Sequence, residues 1–282
     1  MSESPSGRAP SVWRRLPLTI ITFAVVTVVF VVPFAFIVLQ AVKSSAESSE
    51  LSLSWPSETR VVENFREVIS ARQYDLVLAF INSSVLTVVS VTFMVLFAAM
   101  AAFIWQRRKG RVGFLIQLMV LAGLVIPPAV VPTVWVLQSL GLFKTLPGLI
   151  FIEITFGMSF STMLFRAFIA AIPREIDEAA IVDGAGPLRL FFSVIFPLLR
   201  PVIITVVVVQ SVHVFNDFTS PLYFLPGYPT VQLTLYSFMS EFLTEYNLLF
   251  MNVLLITIPP LIMFIIFNRQ MVAGMTSGAV KG

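Results

Sequence analysis

Glu178, Ala179 and Ala180, with Gly184 four residues beyond, are the residues of this chain best suited to do work, and that work is mechanical. A carboxylate, two minimal side chains and a glycine let another protein's backbone or a bulky side chain approach closely. Asp183, Ala185 and Gly186 extend the stretch, and Leu188, Phe191 and Phe192 beside it could anchor in a pocket. A helix that lies on a membrane or caps its own bundle would show the same composition. His213 and Asp217 share a helical face at i and i+4 and could form a proton relay. The competing reading, which is favoured, is a packing histidine and a carboxylate that bonds Asn216 or caps a broken helix. The chain has one histidine and no cysteine, which excludes disulfides and thiolate metal sites. It has no HExxH, no Ser–His–Asp pattern and no Gly-x-x-x-x-Gly-Lys-Ser/Thr phosphate loop. The expectation is therefore no catalytic residue, no metal ligand and no ATP hydrolysis by this chain.

The element that positions Glu178 reads as a short helix, a turn and a second helix. Residues 173–201 carry Arg174, Glu175, Asp177, Glu178, Asp183, Arg189 and Arg200 between long apolar runs. Pro173 suits a first helical position, where its missing N–H costs nothing. Glu175, Asp177 and Glu178 follow in the first turns, where carboxylates favour the positive end of the helix dipole. Gly184 suits a C-terminal cap. Gly186-Pro187 makes a turn, Pro187 opens a second helix through Phe196, and Pro197 and Pro201 stop it and start the next apolar run.

The rest of the chain is built for lipid. Of its 282 residues 57% are hydrophobic and 12% charged, about half the charge of a soluble domain. The mean hydropathy is +0.94. The net charge of +3 does not point to nucleic acid, because the basic residues are spread over short loops and form no stripe. A helix needs about 20 apolar residues to cross the hydrocarbon. Six runs qualify: 16–42, 76–106, 112–143, 145–165 (interrupted by Glu153 near one end), 201–224 and 246–268. Arg8, Arg14, Arg15, Arg107, Arg108, Lys109, Arg111, Arg166, Arg174, Arg189, Arg200, Arg269 and Lys281 fall on one side of these spans. Only Lys43, Arg60, Arg66, Arg72 and Lys144 fall on the other. The asymmetry places both termini and the 173–201 insert in the cytoplasm. The first run is too long for a signal peptide and is expected to be retained as a helix.

The expected organisation is a cytoplasmic tail over 1–15, a first transmembrane helix over 16–42 and an extracytoplasmic loop over 43–75. A five-helix core follows over 76–268 with its cytoplasmic segment at 173–200, and then a cytoplasmic tail over 269–282. The Ser-rich start of the 43–75 loop, with Trp55-Pro56 and Asn64-Phe65, suggests a small structured cap and not a domain.

Glu178-Ala179-Ala180-x-x-x-Gly184, with Asp183-Gly184-Ala185-Gly186 and Ile195-Phe196-Pro197-Leu198-x-x-Pro201, resembles the EAA motif of ABC importer permeases. Phe196 stands where a leucine is common, with its apolar character kept. Asn216-Asp217-Phe218 and Pro221-Leu222 resemble the Asn-Asp-x-x-x-Pro pattern of carbohydrate permeases, and Asn82-Ser83 the Asn-Ser that opens the permease core. The C-terminal Gly274-Met275-Thr276-Ser277-Gly278 is similar to the tail of MalG-like subunits of oligosaccharide importers. The resemblance covers about 76–282 well and the first span loosely.

The resemblance implies an all-α integral membrane protein of the type I importer permease (MetI-like) fold in the cell membrane of a bacterium or archaeon. It also implies a second permease subunit, two ATPase subunits that hold the ATP and magnesium, an extracytoplasmic solute-binding protein and a sugar. Glu178, Ala179, Ala180, Asp183, Gly184, Ala185 and Gly186 would then form the coupling helix in a cleft of the ATPase. Candidates to line the path are Trp135, Gln138, Asn216 and Asp217, and less pointedly Gln117, Thr133, Gln210 and Asn252. Asp217 stands as the one carboxylate deep within an apolar run. The outer loop 225–245 could face the binding protein or cap the bundle. The rivals are an ion- or proton-coupled secondary transporter, which would want matched halves of broken helices, and a permease for glycerol-phosphate or polyamine.

Overall fold

The computed structural model describes the backbone of residues 12–108, 110–241 and 245–279, and the side chains of most of these between 19 and 268. Most of the N-terminal tail and the last three residues lie outside the described residues. Every described element is a helix. In order they are α1 (Thr19–Val42, part of a helix that begins at Val12), α2 (Ser45–Ser49), α3 (Val61–Ser70), α4 (Asp75–Arg107) and α5 (Arg111–Val125). Then come α6 (Val130–Ser139), α7 (Leu146–Ala170), α8 (Arg174–Val182), α9 (Pro187–Leu198) and α10 (Arg200–Phe215). Last are α11 (Thr219–Phe224), α12 (Val231–Glu241) and α13 (Tyr246–Ala279).

Among the described residues, six continuous helical spans do not form. Helices α1, α4, α7 and α13 are each long and apolar enough to cross a membrane, and α9 with α10 makes a fifth only as a pair bent by 77°. The expected third span is two shorter helices, α5 and α6. Helix stops at Val125 and Ile126 is extended, because Pro127 disfavours helical backbone at the residue before it. The bend between α9 and α10 falls at Leu199, between Pro197 and Pro201. The expected fifth span ends early, at Phe215, where Asn216 and Asp217 break the helix before α11.

Two prolines also widen helices. Val32 N–H bonds to Thr27 O and Phe196 N–H to Phe191 O, so that 27–31 and 190–195 are π-helical. Pro33 and Pro197 follow directly, and a proline with no N–H cannot continue the ordinary ladder.

The chain folds as two compact units. One comprises residues 1–68 and 238–255. In it α1 shows its apolar side chains outward, with Phe23 and Phe30 among the most exposed, as suits a helix solvated by lipid. The Ser-rich loop is tightly bonded. Lys43 is fully buried and its Nζ donates to Ser52 O at 2.7 Å and to Ser54 Oγ at 3.2 Å. Asn64 Nδ2 donates to Ala41 O and Lys43 O, and Asn247 Nδ2 donates to Asn64 Oδ1 at 3.0 Å.

The other unit comprises residues 69–237 and 256–282. Its heart is α4 against α7, with α10 against both. Ala98, Ala99 and Ala102 of α4 are fully buried, as are Phe165 and Ile169 of α7 and Val202 and Val206 of α10. Lipid tails are as apolar as leucine, so helices in a bilayer associate by close van der Waals fit, which small residues permit. Gly157 is one such point. A side chain there would strike Met94 and approach Gln210 Oε1. Gln210 Nε2 donates to Gly157 O at 3.3 Å and to Ser161 Oγ at 3.1 Å, which pins α10 to α7. Gln210 therefore serves packing between α10 and α7 within this chain.

Candidate functional site

Helix α8 and the turn after it form an exposed elbow. Glu178, Ala179, Asp183, Gly184 and Gly186 are exposed, Ala185 is half-buried, and Ala180 is buried against the unit's core. Ile181 and Val182 add apolar side chains to the exposed face, at 58% and 87% exposure. Neither stands out in the sequence, because each also fits the buried side of an amphipathic helix.

The turn is fixed by backbone bonds. Gly184 N–H bonds to Ile181 O and Ala185 N–H to Ala180 O, both at 2.9 Å, the paired bonds of a Schellman cap. Gly184 has φ of +78°, in the left-handed region that favours glycine, and a Cβ there would meet nothing within 4 Å. The glycine is thus required by backbone angle, and the space over it is open to a partner. Pro173 sits just outside α8 as its cap, one residue earlier than the sequence suggests.

The elbow is tied to the bundle at one strong point. Arg107, the last residue of α4, places Nε 2.7 Å from Asp177 Oδ2, and its Nη2 donates to Ile172 O at 3.0 Å. Both side chains are nearly buried, at 11% and 13% exposure. Asp177 reads in sequence as a first-turn carboxylate and Arg107 as a loop charge. Their pairing across 70 residues has no sequence signal. A second tie is aromatic: Phe191 is buried with its ring 5.6 Å from Phe103 and 5.7 Å from Phe196. Phe191 thus anchors within its own bundle and not in a partner's pocket, whereas Leu188 and Phe192 remain exposed.

At the other end of the unit, Asp217 caps α11. Its Oδ1 accepts from Thr219 N–H at 2.9 Å and its Oδ2 from Ser220 N–H at 3.1 Å. Asn216 Nδ2 donates to Val212 O, and its Oδ1 accepts from Gln232 Nε2 at 3.0 Å. Asp217 is not alone. Glu153 is 2% exposed on α7 and lies close to Asp217 and Ser220, with its Oε1 lacking a hydrogen-bond partner. The sequence places Glu153 near a span end, and only the packing of α7 against α11 brings the two carboxyls together. His213 is exposed and makes no described bond to Asp217. Asn82 Nδ2 donates to Pro229 O at 2.9 Å, and Ser83 Oγ accepts from Val231 N–H at 3.0 Å. The Asn-Ser pair therefore clamps the loop before α12 and caps that helix. Trp135 and Gln138 are both exposed on α6, and no described bond brings them to Asn216 or Asp217.

Residues 94–276 match the family described as binding-protein-dependent transport system inner membrane component. The match takes in the elbow, its Arg107 anchor and the Asn216-Asp217 break. The chain is 29% identical over 276 residues to the melibiose/raffinose/stachyose import permease protein MelC of Bacillus subtilis, covering 95% of this chain and 99% of that protein. It is 28% identical over 261 residues to the probable starch degradation products transport system permease protein AmyC of Thermoanaerobacterium thermosulfurigenes, covering 91% and 94%. The fold is similar to a chain of a bacterial ABC transporter involved in the import of the acidic polysaccharide alginate. The TM-score is 0.74 at 18% identity, with 93% of this chain and 99% of that one covered.

Proposed function

The chain belongs to the family of binding-protein-dependent transport system inner membrane components, and on that premise we propose that it is one of two permease subunits of an ATP-driven importer of neutral oligosaccharides. The observation that carries the reading is the elbow: small, exposed residues around Gly184, capped by their own backbone and bonded to the longest core helix through Arg107 and Asp177. A separate ATPase dimer closing on ATP would push α8 as a lever. The Arg107–Asp177 pair would pass that push to α4, and the packed α4, α7 and α10 would tilt together to expose the path to a solute-binding protein outside.

The relatives named for melibiose, raffinose and stachyose and for starch degradation products support a sugar. The acids support a neutral one. Asp217 uses both oxygens to cap α11 and Glu153 is buried, so both are engaged within the chain and neither is presented as a free partner for a cationic solute. The test is reconstitution of the full chain in vesicles with its second permease, ATPase and binding protein. Uptake of labelled oligosaccharide is expected only with ATP and the ATPase. Uptake by the chain without an ATPase, collapsing with the membrane potential, would refute the proposal.

A further inference from the structure

A second group of cations lies around the start of the elbow, away from its turn. Arg108, Arg166 and Arg174 line a cleft of about 460 Å³ that contains no carboxylate. Arg166 is held in place: its guanidinium carbon lies 3.7 Å from the centroid of the Trp105 ring, and its Nε donates to Gln106 Oε1 at 3.1 Å. Only one of its five N–H donors is used in that bond. Arg108 and Arg174 are exposed and form no ion pair with a described residue, the nearby Asp177 being taken by Arg107. The first turn of α5 also borders the cleft, and its cap residue Gly110 offers its N–H groups no side-chain acceptor. Three guanidiniums and a helix N-terminus with no counter-charge call for an anion, and guanidinium forks suit phosphate oxygens.

The depth of the cleft narrows the source of that phosphate. It lies beside the ends of two membrane-long helices, just beyond Arg107 of α4 and near Ala170 of α7. Helix ends of this length would reach the lipid headgroups. Arg108 borders a second, apolar groove lined by Met100, Phe103 and Leu188. A charged cup that adjoins a greasy groove fits an amphiphile better than a free ion.

We propose that this cleft binds the phosphate of an anionic phospholipid of the inner leaflet, with an acyl chain in the adjoining groove. The test uses the full chain, purified and delipidated in neutral detergent. It is titrated separately with phosphatidylglycerol, phosphatidylcholine and inorganic phosphate, with bound lipid counted by native mass spectrometry and stability followed by thermal unfolding. Phosphatidylglycerol is expected to bind more tightly than phosphatidylcholine, and the Arg108→Gln/Arg166→Gln variant to lose about thirtyfold in that preference. Arg166→Gln also removes the stack on Trp105, so Arg108→Gln alone, at an exposed side chain, is the second variant and should lose about fivefold. Equal binding of the two lipids by the unaltered chain, or an unchanged preference in Arg108→Gln, would overturn the proposal. So would stabilisation by millimolar inorganic phosphate matching that by phosphatidylglycerol, which would make the source a soluble anion.

Discussion

Arg107 Nε stands 2.7 Å from Asp177 Oδ2, and this pair joins the end of the longest core helix to the first turns of the elbow helix. With both partners almost out of solvent, loss of one leaves a poorly hydrated charge on the other. Breaking such a pair costs about 3–5 kcal/mol when it is fully buried, and the slight exposure here sets the lower end as the expectation. Asp177→Ala should therefore loosen α8 while the chain stays in the membrane. Hydrogen exchange over 174–182 should speed up and ATP-driven uptake should fall. The swapped pair Arg107→Asp/Asp177→Arg should recover part of both. Unchanged exchange in Asp177→Ala would refute the anchor.

Gly184 separates backbone strain from contact with a partner. Gly184→Ala adds a methyl group where nothing lies within 4 Å but the φ is +78°, so it should cost about 1 kcal/mol in stability. Gly184→Arg should cost similar stability, yet abolish ATP-driven uptake by filling the open space over the turn. Full uptake by Gly184→Arg would show that nothing docks there.

Asp217 distinguishes a cap from a relay. Asparagine caps helices as well as aspartate does, whereas alanine costs about 1 kcal/mol. Asp217→Asn should retain uptake and Asp217→Ala should reduce stability. Abolished uptake in Asp217→Asn, with the protein folded, would point to titration of this group and towards the proton-coupled rival.

Gly157 tests the packing of the core. Gly157→Val places a branched side chain against Met94 and Gln210, which should lower stability by about 1–3 kcal/mol. Met94→Ala in the same chain should relieve part of that loss. Thermal unfolding in detergent measures both, and additive effects of the two substitutions would argue against the contact.

Acid should open the 43–75 loop. Ser57 donates its hydroxyl and its N–H to Glu47 Oε1, and the hydroxyl bond is the foremost cause holding the Glu47 carboxyl below its ordinary value. A depressed carboxylate contributes stability above its unfolded pKa and loses it as pH falls through the folded value. Protection of the Ser57 amide from exchange should thus be constant at neutral pH and disappear on acidification below the usual glutamate range. Glu47→Gln should remove that pH dependence, and its persistence would place the titration elsewhere.

The sequence alone determined the medium and the elbow, and the bias of arginine and lysine gives the expected orientation. Long charge-free runs suit lipid and the packed interior of a helix bundle, and not water. The Schellman turn was legible because it is local: it needs only the backbone angle of Gly184, its bond to Ile181 three residues before, and the bond of Ala185 to Ala180 five residues before that residue. The break between Pro197 and Pro201 was legible from its prolines, whereas the Ile126-Pro127 break carried the same local signal, yet length and hydropathy made 112–143 read as one span. Tertiary structure alone decided the contacts between distant helices. Arg107 met Asp177, Glu153 met Asp217, and Arg166 came to lie on Trp105 only when α4, α7 and their neighbours packed. Those partners are set by how side chains of different helices fit at close range, and nothing in the spacing of residues along one helix records which residue of another will face it.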